Sequence, residues 1–363
     1  MKVCLRKKKT ICLEQEKNNC VLAKKKRTKK LSFINSIVFV VNSIAAGILL
    51  LSYLSYYISP NQFAFIPFLS LSIPILIIIN VLFIIYWLLG LKRHFLLSTI
   101  VLLIGFQYVN RFYNLSEKKV LLTSDTKIMS YNVRMFNLYK WIDQEDIPKQ
   151  LYSFINDKDP DILAIQEFQP DPELGFDYPY KYVQISEKNK QFGHAIFSKF
   201  KIINSGTLDF DHSSNTTIFV DIVKNKDTLR IYNVHLESLK INPKKENFDK
   251  EIDEKFLRRV EASFKKQAEQ TSIIKNHIEQ FNGKSIICGD FNNTAFSWSY
   301  HQLLENKNDA FEIAGKGFGS TYNTFFPMRI DFILTDKSIE VNNFKTFSIN
   351  YSDHYPILAR IQF

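Results

Sequence analysis

The sequence predicts an α/β fold of two packed, mostly antiparallel or mixed β-sheets flanked by helices, a four-layer sandwich preceded by three transmembrane helices. Three observations support this class. The first third of the 363-residue chain contains three long uncharged apolar runs. The remainder holds many short strand-like segments at close spacing, and only one long amphipathic helical pattern. About 245 residues are enough to bury the core of such a sandwich as one domain.

The three apolar runs cover residues 33–58, 63–91 and 95–110. A helix needs about 20 apolar residues to cross the hydrocarbon core of a bilayer, and the first two runs exceed that length. The third run meets it if it extends to residue 113 with the Arg111 side chain snorkelling toward the headgroups. A cleaved signal peptide is the alternative for the first run, but that run is too long and no small-x-small cleavage site follows.

Basic residues in the short loops predict the orientation of these helices. Six Lys or Arg residues stand between positions 24 and 30, and Lys92 and Arg93 separate the second and third runs. The expected protein is a multi-pass protein of the inner (plasma) membrane, with a cytoplasmic N-terminus and an extracytoplasmic C-terminal domain. The predicted regions are a basic cytoplasmic tail (residues 1–30), a three-helix membrane anchor (residues 31–116) and the C-terminal domain (residues 117–363).

The net charge of +11 is unevenly distributed. Residues 1–116 carry 15 Lys or Arg against 2 Asp or Glu, whereas residues 117–363 carry 32 against 34. The high isoelectric point is therefore not a nucleic-acid footprint on the C-terminal domain. Three of the four cysteines lie in the tail, and Cys288 is alone in the domain. This excludes an internal disulfide there, and no cysteine spacing resembles a zinc site.

The C-terminal domain divides into strands and helices by the period of its apolar residues. The long helix at residues 255–281 has its core stripe at Leu257, Val260, Phe264, Ala268, Ile274, Ile278 and Phe281. Because the predicted strands between residues 180 and 237 follow each other at short spacing, neighbours among them are expected to pair antiparallel. The predicted strands are 127–133, 162–165, 180–185, 194–198, 202–208, 216–223, 228–237, 285–290, 329–335, 339–347 and 357–363. The predicted shorter helices are 147–156, which begins around Pro148, and 299–305.

A polar pair follows the apolar strand at 285–288. Asp290 and Asn292 are two positions apart, so in extended backbone both side chains point to the same side of the sheet edge. A carboxylate beside an amide can accept a proton while the amide holds a water or a phosphate oxygen. An ordinary turn is the alternative, because Gly, Asp and Asn are the usual turn residues.

Further polar residues stand at other predicted strand ends. The motifs are Gln-Glu at 166–167, Asn-x-His at 233–235, Gly-Asp-Phe-Asn at 289–292, Arg-Ile-Asp at 329–331 and Ser-Asp-His-x-Pro-Ile at 352–357. Each motif is weak alone, but their order and separation, with Asn132 before them, resemble the endonuclease/exonuclease/phosphatase superfamily, which includes exonuclease III and deoxyribonuclease I. The resemblance covers residues 127–363 and leaves out the apolar runs.

The resemblance implies a role for each residue of this set. Asp290 would activate or orient a water, Asp331 would orient His354, and Asn132, His235, Asn292 and His354 would contact the phosphate. Glu167, Asp353 and Asn132 would hold Mg²⁺ (or Mn²⁺), a hard cation that prefers carboxylate oxygens. Members with a second metal site often carry an acid two positions after the first Asn, and Arg134 stands there instead, which favours one ion. Each residue also has an ordinary structural alternative, such as a turn cap or a surface ion pair.

The expected function is therefore that of a metal-dependent phosphoester hydrolase, a nuclease-like phosphodiesterase tethered to the membrane. A phospholipid or sugar-phosphate hydrolase of the same mechanism is an alternative, and a catalytically silent binding module is another. The basic clusters at residues 240–250 and 255–266 could supply positive charge for binding a nucleic acid, but only a limited amount. Phe318, Tyr322, Phe325 and Phe326 could stack on a base or contact lipid. The sequence gives no sign of an obligate protein partner.

The predicted orientation can be checked with a reporter that fluoresces only in the cytoplasm, fused after Phe363. We expect the fusion to stay dark, because the third apolar run exits on the side opposite to the basic tail. The same reporter fused to the N-terminus should be bright. Cytoplasmic fluorescence of the C-terminal fusion would contradict the orientation.

Overall fold

The computed structural model describes residues 31–363 except 64, 172–173, 187–190, 212, 214, 240–253 and 325. The predicted basic tail, the basic cluster at 240–250 and Phe325 therefore lie outside the described residues. The chain divides into a short unit, Met1–Ile44, and a large unit, Ala45–Phe363. The predicted boundary near residue 116 stays a prediction.

The structure describes four α-helices in the N-terminal third of the chain. They are α1 (Phe33–Ser52), α2 (Ile66–Leu89), α3 (Phe95–Ile104) and α4 (Phe106–Phe112), and a 3₁₀ turn, Tyr53–Tyr56, extends α1. Two helical stretches, Phe33–Tyr56 and Ile66–Leu89, are long and apolar enough to cross a membrane. The pair α3 and α4, bent by 80° between them, would make a third. The break falls at Gly105, where an added Cβ would lie 2.1 Å from the Tyr53 ring.

The prediction that Arg111 snorkels was wrong. Its side chain is buried, with 7% exposed, and its Nε donates to Glu312 Oε1 at 2.9 Å. The guanidinium carbon lies 4.5 Å from the centroid of the Tyr56 ring. Arg111 therefore faces the protein, because a carboxylate 201 residues away along the chain compensates its charge.

The domain contains two β-sheets, as predicted, and each has six strands in the described residues. The first has the order β11-β12-β1-β2-β4-β3 and the second has β5-β6-β7-β8-β10-β9. The strands are β1 (Thr126–Asn132), β2 (Ile162–Phe168), β3 (Tyr180–Ile185), β4 (Gly193–Ser198), β5 (Lys201–Asp209), β6 (Thr216–Lys224), β7 (Asp227–His235), β8 (Lys284–Asp290), β9 (Lys307–Asp309), β10 (Asp331–Asp336), β11 (Glu340–Thr346) and β12 (Ile357–Gln362). The helices of the domain are α5 (Ile147–Lys158), α6 (Glu254–Glu279), α7 (Trp298–Leu304) and α8 (Ala310–Ala314).

Both sheets are mixed. β1 pairs parallel with β2, and β7 pairs parallel with β8, whereas the other described pairs are antiparallel. The expectation that sequence neighbours pair antiparallel was therefore wrong at one short connection, because β4 and β5 belong to different sheets. The two parallel pairs each enclose a helical crossover, as parallel pairing requires.

Alternation along the strands produces the four layers. Ile128 of β1 and Ile286 of β8 face the core between the sheets. Their neighbours face outward: Met129 packs in a cluster with Leu151 of α5, and Ile287 packs in a cluster with Ile274 of α6. The order is thus helix, sheet, sheet, helix.

The predicted core stripe of the long helix begins one turn too early. Leu257 is 42% exposed, whereas Val260, Phe264, Ala268 and Ile274 are buried. The helix packs through Phe256 at this end, which lies against the cluster of Leu239, Val260 and Phe264. β9 and α8 were missed because each is at most five residues long and neither shows a clear period.

The apolar helices and the domain share one hydrophobic cluster. Tyr53, Tyr56 and Tyr108 from the helices pack in the same cluster as Phe296 and Tyr300 from the domain. The Tyr56 ring stacks on His301 with centroids 4.0 Å apart. The helical segment after Ile44 is therefore built into the core of the domain.

The Arg111–Glu312 pair gives a stability prediction. Glu312→Leu should lower the free energy of unfolding of the detergent-solubilised chain by about 3 kcal/mol or more, because it leaves a buried guanidinium unpaired. The matched control is Glu340→Leu, which removes the exposed partner of Lys118 and should cost at most about 1 kcal/mol. Chemical denaturation measures both. Equal losses would show that the buried pair has no special role.

Candidate active site

The predicted polar residues meet at one edge of the two sheets. Parallel pairing places the carboxyl end of β1 beside that of β2, with Asn132 opposite Gln166. In the second sheet it places His235 of β7 opposite Asp290 of β8. β10 runs the other way and begins at Asp331, opposite Asp290. Strand direction therefore collects residues from six separate chain segments, including the loop that carries His354 before β12.

A close approach between β7 and β8 fixes the position of Asp290. Gly289 has φ of 137°, and an added Cβ would lie 2.0 Å from the carbonyl oxygen of Val234. Only glycine fits there, because it combines the left-handed region with the absence of a side chain. Asn292, also at positive φ, donates its backbone N–H to Asp290 Oδ1 at 2.7 Å and its side-chain amide to the Leu236 carbonyl. Asn292 thus holds the turn as well as facing the site.

Asp290 is almost completely buried among polar neighbours. Asn132 Nδ2 donates to its Oδ2 at 3.0 Å, and the Nε2 atoms of His235 and His354 each lie 3.6 Å from that oxygen. Burial raises the pKa of Asp290 to about 6, a shift that His354 and His235 oppose and Asp331 reinforces. A carboxylate with this pKa can accept a proton near neutral pH.

His354 lies between two carboxylates. Its Nδ1 is 2.9 Å from Asp331 Oδ2, and its Nε2 faces Asp290. Burial disfavours the charged ring, but Asp331 and Asp290 outweigh that effect and raise the pKa of His354 to about 10. Asp331 is held by Thr321, whose Oγ1 accepts its backbone N–H at 3.0 Å. The structure therefore brings Asp331, His354 and Asp290 into one chain of buried charges.

Glu167 reaches the site from a bulge at the end of β2. The register of β2 against β4 shifts between Gln166 and Phe168, and Glu167 has φ of 52°. A left-handed backbone costs a non-glycine residue about 1–3 kcal/mol, so surrounding contacts must hold it. Its Oε1 accepts from Asn132 Nδ2 at 3.2 Å. Burial raises the pKa of Glu167, although the Asn132 hydrogen bond and His354 lower it.

Asp353 has a basic partner within the site. Arg134 Nη1 lies 3.1 Å from Asp353 Oδ2, and the guanidinium stacks over the Trp141 ring at 4.3 Å. Arg134 begins a turn of four residues, through Asn137, that all have positive φ. The assignment of Asp353 as a metal ligand stays a prediction, and the structure adds that Arg134 already compensates its charge.

Three residues near the site were not singled out from the sequence. His194 of β4 is buried, and its ring lies edge-on to His235 with centroids 5.5 Å apart. Gln166 donates to Asn233 Oδ1 at 2.6 Å, which joins the two sheets directly beneath the site. Gln166 belongs to the Gln-Glu motif and Asn233 to the Asn-x-His motif. Their positions at predicted buried strand ends were the signal that could have identified them. His194 had no such signal because it lies inside an ordinary strand.

The donor set fits a hard divalent cation. Asp290, Asp331 and His354 are buried, and each offers a ligand atom within 4.8 Å of the others. Glu167 adds a further carboxylate, whose pKa is raised chiefly by burial. Such crowded oxygens suit Mg²⁺ or Mn²⁺. A protonated His354 cannot ligate, which leaves the ligand role to carboxylate and amide oxygens such as those of Glu167 and Asn132.

Comparison with known proteins agrees with this geometry. The sequence profile described as the Endonuclease/Exonuclease/phosphatase family matches residues 129–354. The chain belongs to this family. A second profile, a domain of unknown function, matches residues 35–112. No curated protein sequence gives a significant match.

Solved structures of the family share the fold. Humanized TDP2 from D. rerio is 17% identical, with a TM-score of 0.52, over 66% of this chain and 100% of that one. An endonuclease/exonuclease/phosphatase from Bacteroides vulgatus is 18% identical, with a TM-score of 0.50, over 66% and 99%. A mannosyl-6-phosphatase from Bacteroides thetaiotaomicron is 18% identical, with a TM-score of 0.50, over 66% and 100%. Members of the superfamily hydrolyse phosphoesters, so a hydrolase of that type is the activity that the family supports.

A surface cavity of about 950 Å³ lies beside these residues. Its lining comes from residues 135–148 and 169–171 and includes none of the predicted site residues. We therefore place the candidate chemistry at the strand ends, where buried charges converge, and not in this cavity.

The Asp331–His354 contact predicts a non-additive double mutant. Asp331→Asn and His354→Ala should each lower kcat by about 10²–10⁴, because each breaks the same buried hydrogen bond at the site. The double variant should be little slower than the worse single variant, since the two residues act as a unit. Kinetics on folded preparations with matched melting temperatures make the comparison. Multiplying effects would show that the residues act independently.

Proposed function

We propose that this protein is a metal-dependent phosphoester hydrolase, tethered to a membrane by its N-terminal helices, in which Asp290 activates the attacking water. One observation carries the proposal. The buried Asp290 carboxylate, with a pKa of about 6, lies 3.6 Å from both His235 and His354. A proton acceptor beside two imidazoles is the inventory that water attack on a phosphate requires.

Each neighbouring residue has a defined part in the proposal. Asp290 takes a proton from the water as its oxygen attacks phosphorus. The His354 imidazolium, held by Asp331, donates to a phosphate oxygen and offsets its negative charge. His235, whose pKa is lowered chiefly by burial, stays neutral and contributes a hydrogen bond. Asn132 and Asn292 fix the orientation of this group through their amides.

The proposed cofactor is Mg²⁺ or Mn²⁺, held by Glu167 with Asn132 and, if Arg134 releases it, by Asp353. When bound, such an ion would stabilise negative charge on the phosphate. Several carboxylates lie close together in this buried site, and a bound cation would offset the repulsion between them. The part of the chain that the structure describes supplies no cysteine to this group, which disfavours zinc.

The nuclease-like form of the hypothesis has little electrostatic support. The predicted basic cluster on α6 is largely paired: Arg258 binds Glu254 and Lys265 binds Glu261 along the helix, and Lys266 lies 3.5 Å from Glu237. A helix face of alternating pairs is solvated and is a poor footprint for a polyanion. A nucleic acid is therefore included in the substrate test, but we do not expect it to be the best substrate.

The cofactor proposal is tested by chelation of the purified full chain in detergent. EDTA should abolish hydrolysis of phosphoester substrates and Mg²⁺ should restore it. Glu167→Gln should raise the Mg²⁺ concentration needed for half-maximal activity by about tenfold or more, because a carboxylate ligand is worth at least about 1.4 kcal/mol. Glu340→Gln, on the far edge strand β11, is the control. Full activity after exhaustive chelation would contradict the proposal.

The role of Asp290 is tested by Asp290→Asn in the same preparations. The amide cannot accept a proton, so kcat should fall by at least about 10². The melting temperature should hold or rise, because the change removes a buried carboxylate that lies close to Asp331. A substrate panel of plasmid DNA, RNA, inositol phosphates, sugar phosphates and phospholipids reads the activity. Near-normal turnover on the best substrate would defeat the proposal.

A further inference from the structure

In the described residues, three helix ends contact the domain: the end of α1 with its 3₁₀ turn, the start of α2 and the end of α4. Tyr56 stacks on His301 of α7 with centroids 4.0 Å apart, and Phe68 near the start of α2 meets Phe264 of α6 at 5.5 Å. Phe112 at the end of α4 lies 5.1 Å from the ring of Phe318. Successive spans alternate in direction, so these three ends lie on the same side of a bilayer. The domain is attached at that side.

The helix ends touch the loops that carry the candidate active site. Leu236 and Leu239 follow His235 directly, and Leu239 packs in a cluster with Phe68 and Leu71 of α2. After Asp290, Phe296 accepts a hydrogen bond at its carbonyl from Ser55 Oγ at 3.5 Å. These loops leave the carboxyl ends of β7 and β8. The edge of the sheets that holds the catalytic residues is therefore the edge that faces the helices.

The segment that leads into β10 makes a third such contact. Phe326 stacks against Phe112 at the end of α4, with centroids 6.3 Å apart. Tyr322, a few residues before Phe326, contacts the ring of His354. Asp331, a few residues after Phe326, begins β10. Three of the segments that carry site residues, after β7, after β8 and before β10, therefore contact a helix end.

Aromatic residues mark the level of the membrane interface at this edge. Tyr57, Phe65 and Tyr113 expose 40–70% of their surface there. Tyrosine is enriched where hydrocarbon meets headgroups. If the helices span a bilayer, the headgroup layer is at the height of the catalytic edge.

An apolar crevice lies between α2 and the site loops. Its lining includes Leu71, Pro74, Phe112, Ala295, Phe318 and Phe326. It encloses about 50 Å³, less than the share of two liquid waters, about 60 Å³, so it holds only the first carbons of a chain. The exposed ring of Phe318, 42% accessible, stands at its rim. The rest of an acyl chain would remain in the bilayer beside α2.

We propose that the substrate is a phosphoester lipid of the membrane that holds the helices, with its headgroup phosphate at the strand-end residues and the start of one chain in this crevice. The inference rests on the proposed hydrolase function. The reaction adds a water oxygen to phosphorus and breaks one ester P–O bond. One proton of the water ends on the released alcohol oxygen, and the other stays on the phosphate product.

The test compares a lipid in a bilayer with a soluble analogue. The full chain is reconstituted into vesicles of phosphatidylethanolamine, phosphatidylglycerol and phosphatidic acid with Mg²⁺. The deacylated glycerophosphate headgroups of the same three lipids, which have no chain to enter the crevice, are the soluble substrates. We expect the long-chain lipids to be hydrolysed at least about tenfold faster, because burial of a few methylenes is worth more than 1.4 kcal/mol. The rate should fall when an inert ether lipid dilutes the bilayer at constant bulk concentration.

Variants separate the crevice from the chemistry. Phe318→Ser should lower the ratio of bilayer rate to soluble rate by about tenfold. Ile203→Ser, an equally exposed apolar residue on the edge strand β5, should leave that ratio unchanged. Hydrolysis of nucleic acid or sugar phosphate without hydrolysis of any lipid would overturn the lipid inference and leave the hydrolase proposal standing. Failure on every phosphoester would overturn the hydrolase proposal itself.

Discussion

The amide pair Gln166–Asn233 is the constraint on which the candidate site depends. Gln166 belongs to the first sheet and Asn233 to the second, and both are completely buried. Asn233 also donates to the carbonyls of Ile165 and Ala195, on β2 and β4. Apolar contacts between two sheets tolerate sliding, whereas buried amides must satisfy specific partners. This network therefore fixes the offset of the sheets, and the site draws Asn132 and Glu167 from one sheet and Asp290 and Asp331 from the other.

The charges of the site balance only in part. Asp290, Asp331, Asp353 and Glu167 supply four carboxylates, and Arg134 and protonated His354 supply two positive charges. Burial makes the remaining negative charge costly, which is the physical reason why the pKa values of Asp290 and Glu167 are raised. Binding of a cation, alone or together with a phosphate, would lower this electrostatic free energy. The charges of the site therefore reduce the stability of the folded chain as long as no cation is bound.

Periodicity predicted most of the elements because each strand and helix has a local signal. Long helices such as α6, and alternating strands such as β6, appear within a residue or two of their predicted bounds. The site was predicted through motif order, since residues at strand ends of one sandwich must come close together. Sheet membership was not predictable, because β4 and β5 are separated by only two residues and yet belong to different sheets. The prediction that Arg111 snorkels failed for a similar reason, because its partner, Glu312, is 201 residues away along the chain. His194 looks like any strand residue until the structure places it against His235.

The cluster that unites the helix ends with the domain has a consequence for how the protein can be handled. A chain cut back to the residues that match the family would expose the faces of Leu236, Phe296 and Tyr300 to water, and would leave Glu312 without its guanidinium. Related proteins with the same fold have been crystallised as separate domains, whereas the helices cover part of the outer surface of this domain. Its solubility, and the seating of the loops around Asp290, are then properties of the whole polypeptide. The helices and the domain therefore have to be produced as one polypeptide if the loops around Asp290 are to keep these contacts.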